Sequence, residues 1–290
     1  TQLFPLQRKD SSPVIQDPKR RRTATPARKF PATGEVLVCP LGIGTVWCGR
    51  KWPPQNEAYV YPEFAEVEAY LEEAVTLIRG GSEKLIIDTA VGYGHSDERI
   101  GEFFRTPRGA ALLPNVLIHT KFGHSRHGGP PTARFTADLL RRDWAESRAS
   151  LPRIDGIYYH LTSSLPDSEA LETLRDVGIR EELVRLRREH IAGLTLVGAS
   201  ISSKTVLRSA QEEGLLEHLD MLQVPQWMAR EEPSLLTQIH NQGKAIVLNS
   251  PVRFFAKSDA PAKKAFEDCY LDLIPMPFVS VVLTGTRNHL

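Results

Sequence analysis

From residue 34 onward the chain alternates between two hydrophobic patterns. One is a short continuous run of apolar, often β-branched residues: VCPLGIGT (38–45), KLIIDTA (84–90), NVLIHTKF (115–122), IDGIYYHL (154–161), LTLVGAS (194–200), DMLQVPQ (220–226), KAIVLNS (244–250) and FVSVVLTG (278–285). Such runs lack the alternation of a half-exposed strand and predict strands buried on both faces. The other pattern places apolar residues three and four apart, as in EFAEVEAYLEEAVTLIRGG, DERIGEFF, TADLLRRDWAESRASL, SEALETLRDVGIREELVRLRREHI, SSKTVLRSAQEEGLLEHL, EPSLLTQIHNQG and KKAFEDCYLDLI. These stretches predict helices. Several open on Ser, Thr or Asp and close on Gly, as at Gly80–Gly81 and Gly243.

Eight strand–helix alternations within residues 34–290 predict an α/β protein, a (β/α)8 TIM barrel rather than an open doubly wound sheet. No Gly-x-Gly-x-x-Gly follows a strand, so the usual dinucleotide fingerprint is missing. Only the helix expected after the eighth strand has no sequence to form it, because the chain stops at Leu290. Residues 1–33 are rich in Pro, Ser, Thr and Arg with little to bury, and read as a mobile basic tail ahead of a 34–290 barrel domain.

Charge changes the picture little. Across the chain 36 Lys+Arg face 35 Asp+Glu, a balance that argues against a general nucleic-acid binder. The first 30 residues carry eight basic and two acidic side chains, including the run PKRRR, which fits a nuclear-import or phosphate-binding patch but reads more simply as a solvated tail. Cys39, Cys48 and Cys269 form no CxxC pair and point to a reducing compartment. No apolar run is long enough for a membrane span, and no signal-peptide core is present, so the expectation is a cytoplasmic protein with no membrane contact.

In a (β/α)8 barrel, chemistry sits at the carboxyl ends of the strands. Those ends carry Thr45 and Trp47, then Asp88 with Tyr93, then Lys121, His160, Ser200, Gln223, Ser250 and finally Gly285, Thr286 and Arg287. Taken singly, Asp88 also reads as a helix cap, Lys121 as a surface cation and His160 as a core histidine. Together they have a chemical sense. A phenol is a poor acid at neutral pH. An adjacent ammonium favours its phenolate, and a buried carboxylate keeps that ammonium charged and aimed. An imidazole opposite hydrogen-bonds a carbonyl oxygen. His119, His124 and His127 near the same strand end also suggest a metal-dependent barrel hydrolase, a reading set aside because the first strand has no His; no metal is expected.

The order of motifs resembles that of the aldo-keto reductases over residues 34–290. GEVLVCPLGIGTVW is similar to the family's opening hairpin and first strand. IIDTAVGYGHSDERIGEFF resembles its Asp-Thr-Ala, Tyr-Gly, Ser-Glu-x-x-x-Gly signature, with Asp97 in the place of the Glu. VLIHTKFG, IDGIYYH, LVGAS, LQVPQW, IVLNSPV and VVLTGTR match the later segments in order.

The resemblance implies a catalytic tetrad of Asp88, Tyr93, Lys121 and His160, with Tyr93 the general acid, Lys121 its pKa modifier, Asp88 the partner of Lys121 and His160 orienting the carbonyl. It implies NADPH, ahead of NADH, as cofactor, reducing an aldehyde or ketone to an alcohol. Ser200 and Gln223 fall where the family holds the nicotinamide carboxamide, Ser250 at the pyrophosphate and Arg287 at the 2′-phosphate, with Thr45, Gly285 and Thr286 beside them. Trp47 and Trp227, just past strand ends, are expected to line the substrate pocket. The expected partner is a small carbonyl or alcohol, not nucleic acid; oligomeric state is not specified. The chain departs from the pattern at Ile201, where the family usually has Asn, and at its C-terminus, read as stopping short of the segment that completes the adenosine pocket. The alternative is a reductase-like barrel with lost or weak turnover that binds a nucleotide or a partner.

Overall fold

All eight continuous apolar runs form parallel strands, and the strands close on themselves. The structure, a computed structural model, describes residues 28–30, 36–50, 60–76, 78, 83–124, 135–189, 195–249 and 270–285. The barrel strands are β3 (Leu41–Gly44), β4 (Leu85–Asp88), β5 (Val116–Phe122), β6 (Gly156–Leu161), β7 (Leu196–Ile201), β8 (Met221–Pro225), β9 (Ala245–Asn249) and β10 (Val279–Thr284). Each pairs with its successor in the sequence, and β10 returns to β3 with Val282 opposite Leu41 and Thr284 opposite Ile43. The expected (β/α)8 barrel is thus the observed fold.

Both faces of these strands are buried, which is why their sequences run apolar without alternation. On β5, Val116, Ile118 and Phe122 join the outer core under the helices, whereas Leu117 belongs to the cluster inside the barrel. Phe30, Ile86, Tyr158, Leu196, Met221, Val247, Val281 and Leu283 fill that interior. Two strand glycines make room for the large rings: a Cβ on Gly198 would lie 2.7 Å from the Tyr158 ring, and one on Gly156 would lie 2.8 Å from His119 Cδ2.

The amino end of the barrel is closed by an antiparallel hairpin, β1 (Arg28–Lys29) against β2 (Leu37–Val38). Phe30 is fully buried beneath the barrel, and the Arg28 guanidinium donates to the carbonyls of Ile274 and Met276. Residues 28–30, read from composition as part of the tail, therefore belong to the hairpin. The reason is one buried aromatic that a composition-based reading averaged away. The rest of the tail lies outside the described residues.

The helices are α1 (Val46–Gly49), α2 (Phe64–Thr76), α3 (Ser96–Arg105), α4 (Pro107–Leu112), α5 (Ala137–Ser150), α6 (Asp167–Arg175), α7 (Val177–Arg188), α8 (Lys204–Glu212), α9 (Gln226–Glu231) and α10 (Pro233–Asn241). Thr136 caps α5 and Ser203 caps α8, each accepting from a backbone N–H three residues on. The stretch expected as one helix from residue 168 to 191 is two. Asp176 adopts an extended ψ of 111° and its carboxylate accepts from Ile179 N at 3.0 Å, so it ends α6 and caps α7. An Asp that bonds the backbone locally competes with helix continuation, and here it wins. Among the described residues no helix is long and apolar enough to cross a membrane.

Candidate active site

Inward-facing positions recur every second residue along a strand, so each strand delivers one side chain to the carboxyl rim. Asp88 ends β4, Lys121 and His160 are the penultimate residues of β5 and β6, Ser200 is penultimate on β7, and Asn249 ends β9. Tyr93 comes from the 3-10 turn Val91–Tyr93 that follows β4. Gly49 and Gly94 permit that turn to pack on α1: a Cβ on Gly49 would sit 2.0 Å from the Tyr93 carbonyl, and one on Gly94 would sit 2.2 Å from the Gly49 carbonyl.

Lys121 is the centre of the arrangement. Its ammonium donates to Asp88 Oδ1, to the Thr89 carbonyl at 3.0 Å and to Tyr93 Oη at 3.2 Å. A lysine has three N–H donors, and all three are used. Its side chain is fully enclosed, with the Asp88 carboxylate beside it. Burial opposes the charged form, but Asp88 and Tyr93 outweigh it and hold the Lys121 pKa above its usual value.

The second Asp88 oxygen accepts from Gln223 Nε2 at 2.8 Å. Gln223 Oε1 in turn accepts from Ser200 Oγ at 2.9 Å and from Asn249 Nδ2 at 3.1 Å. Behind the rim, Thr45 is fully buried and its hydroxyl donates to the Asp88 carbonyl at 3.0 Å, while Ser96 Oγ donates to Thr45 Oγ1 at 2.8 Å. Asp97 lies deeper still, accepting from Thr89 Oγ1 at 2.5 Å and from Ser147 Oγ at 2.7 Å. Burial raises the Asp97 pKa and those two hydroxyls oppose the rise.

The Tyr93 and His160 rings meet in a T-shaped contact at a centroid separation of 5.9 Å. Burial raises the phenol pKa, Lys121 pulls it down, Asp88 pushes it up, and the net result is a rise. The depression expected from the adjacent ammonium is therefore present as a contribution but is outweighed by burial. Arg50, held by a 2.6 Å hydrogen bond to the Gly92 carbonyl, adds a second cationic influence that also favours the phenolate. The His160 pKa lies well below normal, chiefly through burial and then through His124, Lys121 and Arg50.

The four residues expected as a tetrad are thus brought together, and Ser200 and Gln223 join them. Thr45 sits under the mouth as a brace, and a Cβ added to Gly285 would meet no described residue within 4 Å. Trp47 and Trp227 are half-buried against the outer core, Trp47 edge-on to Tyr70 at 5.0 Å. Ser250, Thr286 and Arg287 lie outside the described residues. Sequence reading missed Asn249 and Thr89 as participants and considered His124 only as a metal ligand. Asn249 directly precedes the predicted Ser250, so strand-end position alone pointed to it. Among the described residues no group of three His, Cys, Asp or Glu side chains is arranged to hold a metal.

No family model matches the sequence, and no curated protein matches it. Solved structures do. A Pseudomonas aeruginosa protein assigned to the aldo-keto reductases superposes with a TM-score of 0.67 at 24% identity, covering 94% of this chain and 93% of its own. A second structure so assigned from that organism gives 0.62 at 25% identity, covering 90% and 87%. An aldo-keto reductase from Bacillus halodurans, solved in its holo form, gives 0.60 at 15% identity, covering 90% and 85%. The fold is therefore that of the aldo-keto reductase superfamily, and the family resemblance read from the sequence is borne out.

Proposed function

We propose that this protein is an NADPH-dependent reductase of aldehydes or ketones, working reversibly through Tyr93. The observation that carries the proposal is the single ammonium of Lys121 bonded at once to Asp88 and Tyr93, with the His160 ring against the same phenol. A barrel used only for binding has no need of a buried cation wired to a phenol. The neighbouring structures, aldo-keto reductases by fold, support the same reading.

The rim fits a nicotinamide carboxamide, which offers two N–H donors and one carbonyl acceptor. Ser200 Oγ donates to Gln223 and keeps lone pairs for such a donor, and Asn249 keeps its own amide oxygen. Gln223 is largely committed to Asp88, Ser200 and Asn249, so its role is to set the other two. When bound, the reduced nicotinamide supplies the hydride. Arg287 is assigned to the 2′-phosphate on the basis of the resemblance.

In the reduction, His160 hydrogen-bonds the substrate oxygen and polarises its carbonyl. The Tyr93 O–H bond breaks as the oxygen gains negative charge, and the proton passes to the nascent alcohol. The tyrosinate left behind is stabilised by Lys121 and Arg50 and regains its proton from solvent. Asp88 keeps Lys121 aimed at that oxygen throughout.

Two measurements test the proposal together. Tryptophan fluorescence quenching should give tighter binding of NADPH than of NADH, and a panel of aromatic and aliphatic aldehydes should consume NADPH with matching alcohol formation. Binding of neither nucleotide would reject the enzyme in favour of a non-catalytic barrel.

A further inference from the structure

His124 follows β5 three residues after Lys121 and is nearly fully buried. Its ring lies against that of His160 with centroids 4.3 Å apart and planes inclined by 56°. Its Nε2 is 3.1 Å from the His160 carbonyl and 3.2 Å from Thr162 Oγ1. A carbonyl oxygen only accepts, so Nε2 carries the hydrogen, which fixes the neutral His124 tautomer as Nε2–H. The contact is therefore double: one edge of His124 is pinned to the backbone of the residue whose ring it covers.

We propose that His124 is a positioning residue for His160, holding its ring together with Tyr93 so that the imidazole faces the substrate oxygen in one orientation. This rests on the reductase reading above. Tyr93 packs on the His160 ring in a T-shaped contact at 5.9 Å and His124 lies against it at 4.3 Å, so loss of His124 removes one of the two rings that hold it.

The burial of this ring, with His124 beside it, also disfavours protonation of His160. Its Nδ1 is buried and makes no hydrogen bond to a described residue, so a second N–H there would have no acceptor among the described residues. Among the described residues the titratable and charged groups around it are Tyr93, Lys121, Arg50 and His124, none of them a carboxylate. A neutral imidazole donates to a carbonyl oxygen without competing with Tyr93 for the role of acid.

Three proteins test this: the wild type, His124→Ala, which removes both ring and hydrogen bond, and His124→Phe, which keeps a packed ring without the N–H or charge. The readouts are kcat and KM for aldehyde reduction across pH, NADPH affinity by fluorescence quenching, and the 13C-detected titration of His160, assigned with His160→Gln. His124→Ala should lower kcat about 10- to 100-fold, the size of an orientational loss, with NADPH affinity changed less than about threefold. Its His160 resonance should titrate at least about one pH unit higher than in the wild type. His124→Phe should recover most of kcat, since the ring restores the wall. A merely structural role would move stability but neither the titration nor the kcat-to-KM split. The inference is overturned by His124→Ala retaining kcat within twofold, by an unmoved His160 titration, or by His124→Phe no better than His124→Ala. A wild-type protein that reduces no carbonyl overturns the reductase reading and this one with it; the other outcomes overturn this one alone.

Discussion

Asp88 and Gln223 reach each other across the whole barrel mouth. Their strands, β4 and β8, stand opposite in the closed ring, yet Gln223 Nε2 donates to Asp88 Oδ2 at 2.8 Å. The bond makes Asp88 a bridge between Lys121 on one side and the Ser200–Gln223–Asn249 cluster on the other. A buried carboxylate with each oxygen separately bonded has one orientation available, and so does the ammonium it holds.

Gln223→Leu removes that second bond while keeping the volume roughly constant. The Asp88 oxygen is then a buried acceptor attached to a charged group, and the expected cost is about 1–3 kcal/mol of stability. Urea unfolding monitored by circular dichroism reads it as a lowered midpoint at unchanged m. An unmoved midpoint would mean that water replaces the amide at no cost and that the bridge is decorative.

Lys121→Met is the harsher change on the other side of Asp88. The lysine side chain is wholly buried, so its removal strands a buried carboxylate, at about 3–5 kcal/mol. Asp88→Asn combined with Lys121→Met should recover part of that loss, because no charge remains unpaired. Additive losses in the double variant would show the two groups to be independently solvated, contrary to their contact.

The barrel was legible in sequence because strands buried on both faces leave long apolar runs that only a few architectures accept. The convergence of Asp88, Lys121 and His160 at one mouth was legible for a related reason: they are polar residues where those runs end, and a polar residue there has few structural uses. What escaped notice was cross-chain geometry. Nothing in LNS marks Asn249 as a neighbour of Gln223, since the pairing depends on how strands stagger around the ring. Asp176 was hidden by sitting inside a stretch otherwise periodic for helix, and Phe30 by sitting in a basic, proline-rich segment. The sign of the Tyr93 shift also lay beyond sequence, because the Lys121 contact was readable there but the desolvation of the half-buried phenol that outweighs it was not.

His119, one layer below Lys121 inside the barrel, makes a prediction about pH. Its Nδ1 is 3.3 Å from Tyr158 Oη, and its Nε2 is buried without a hydrogen-bond partner among the described residues. Burial, helped by the nearby Lys121 charge, pushes its pKa down to about 3. The unfolded chain binds this proton near the ordinary value of about 6.5, whereas the folded chain binds it only near 3. The stabilisation is therefore present above that ordinary value and is lost as pH falls toward 3, by up to about 1.4 kcal/mol per pH unit. His119→Gln removes the titration, so the wild type minus variant difference in unfolding free energy should slope downward as acid is added. A flat difference between neutral pH and pH 4 would place a proton on His119 in the folded protein. The comparison is made as a difference because Asp97, with its raised pKa, titrates with the opposite sign in both proteins.

Tyr93→Phe is the decisive change for the chemistry. It deletes the Oη that accepts from Lys121 at 3.2 Å but leaves Ser200, Gln223 and Asn249 untouched. Loss of the proton donor should lower kcat for aldehyde reduction by about 100- to 10,000-fold, the range for a positioned general acid. Nucleotide affinity should stay within a few-fold, because none of the rim amides contacts the phenol. The wild-type enzyme adds a pH signature. Burial raises the phenol pKa above its ordinary value of about 10 despite Lys121 and Arg50. The protonated acid is therefore available through neutral and mildly basic pH, and the basic limb of the reduction profile should lie above about 10. Arg50→Met removes one of the two cations favouring the phenolate and should move that limb higher still. A Tyr93→Phe variant that keeps half of wild-type kcat would remove Tyr93 from the chemistry. A basic limb that stays put in Arg50→Met would separate Arg50 from it.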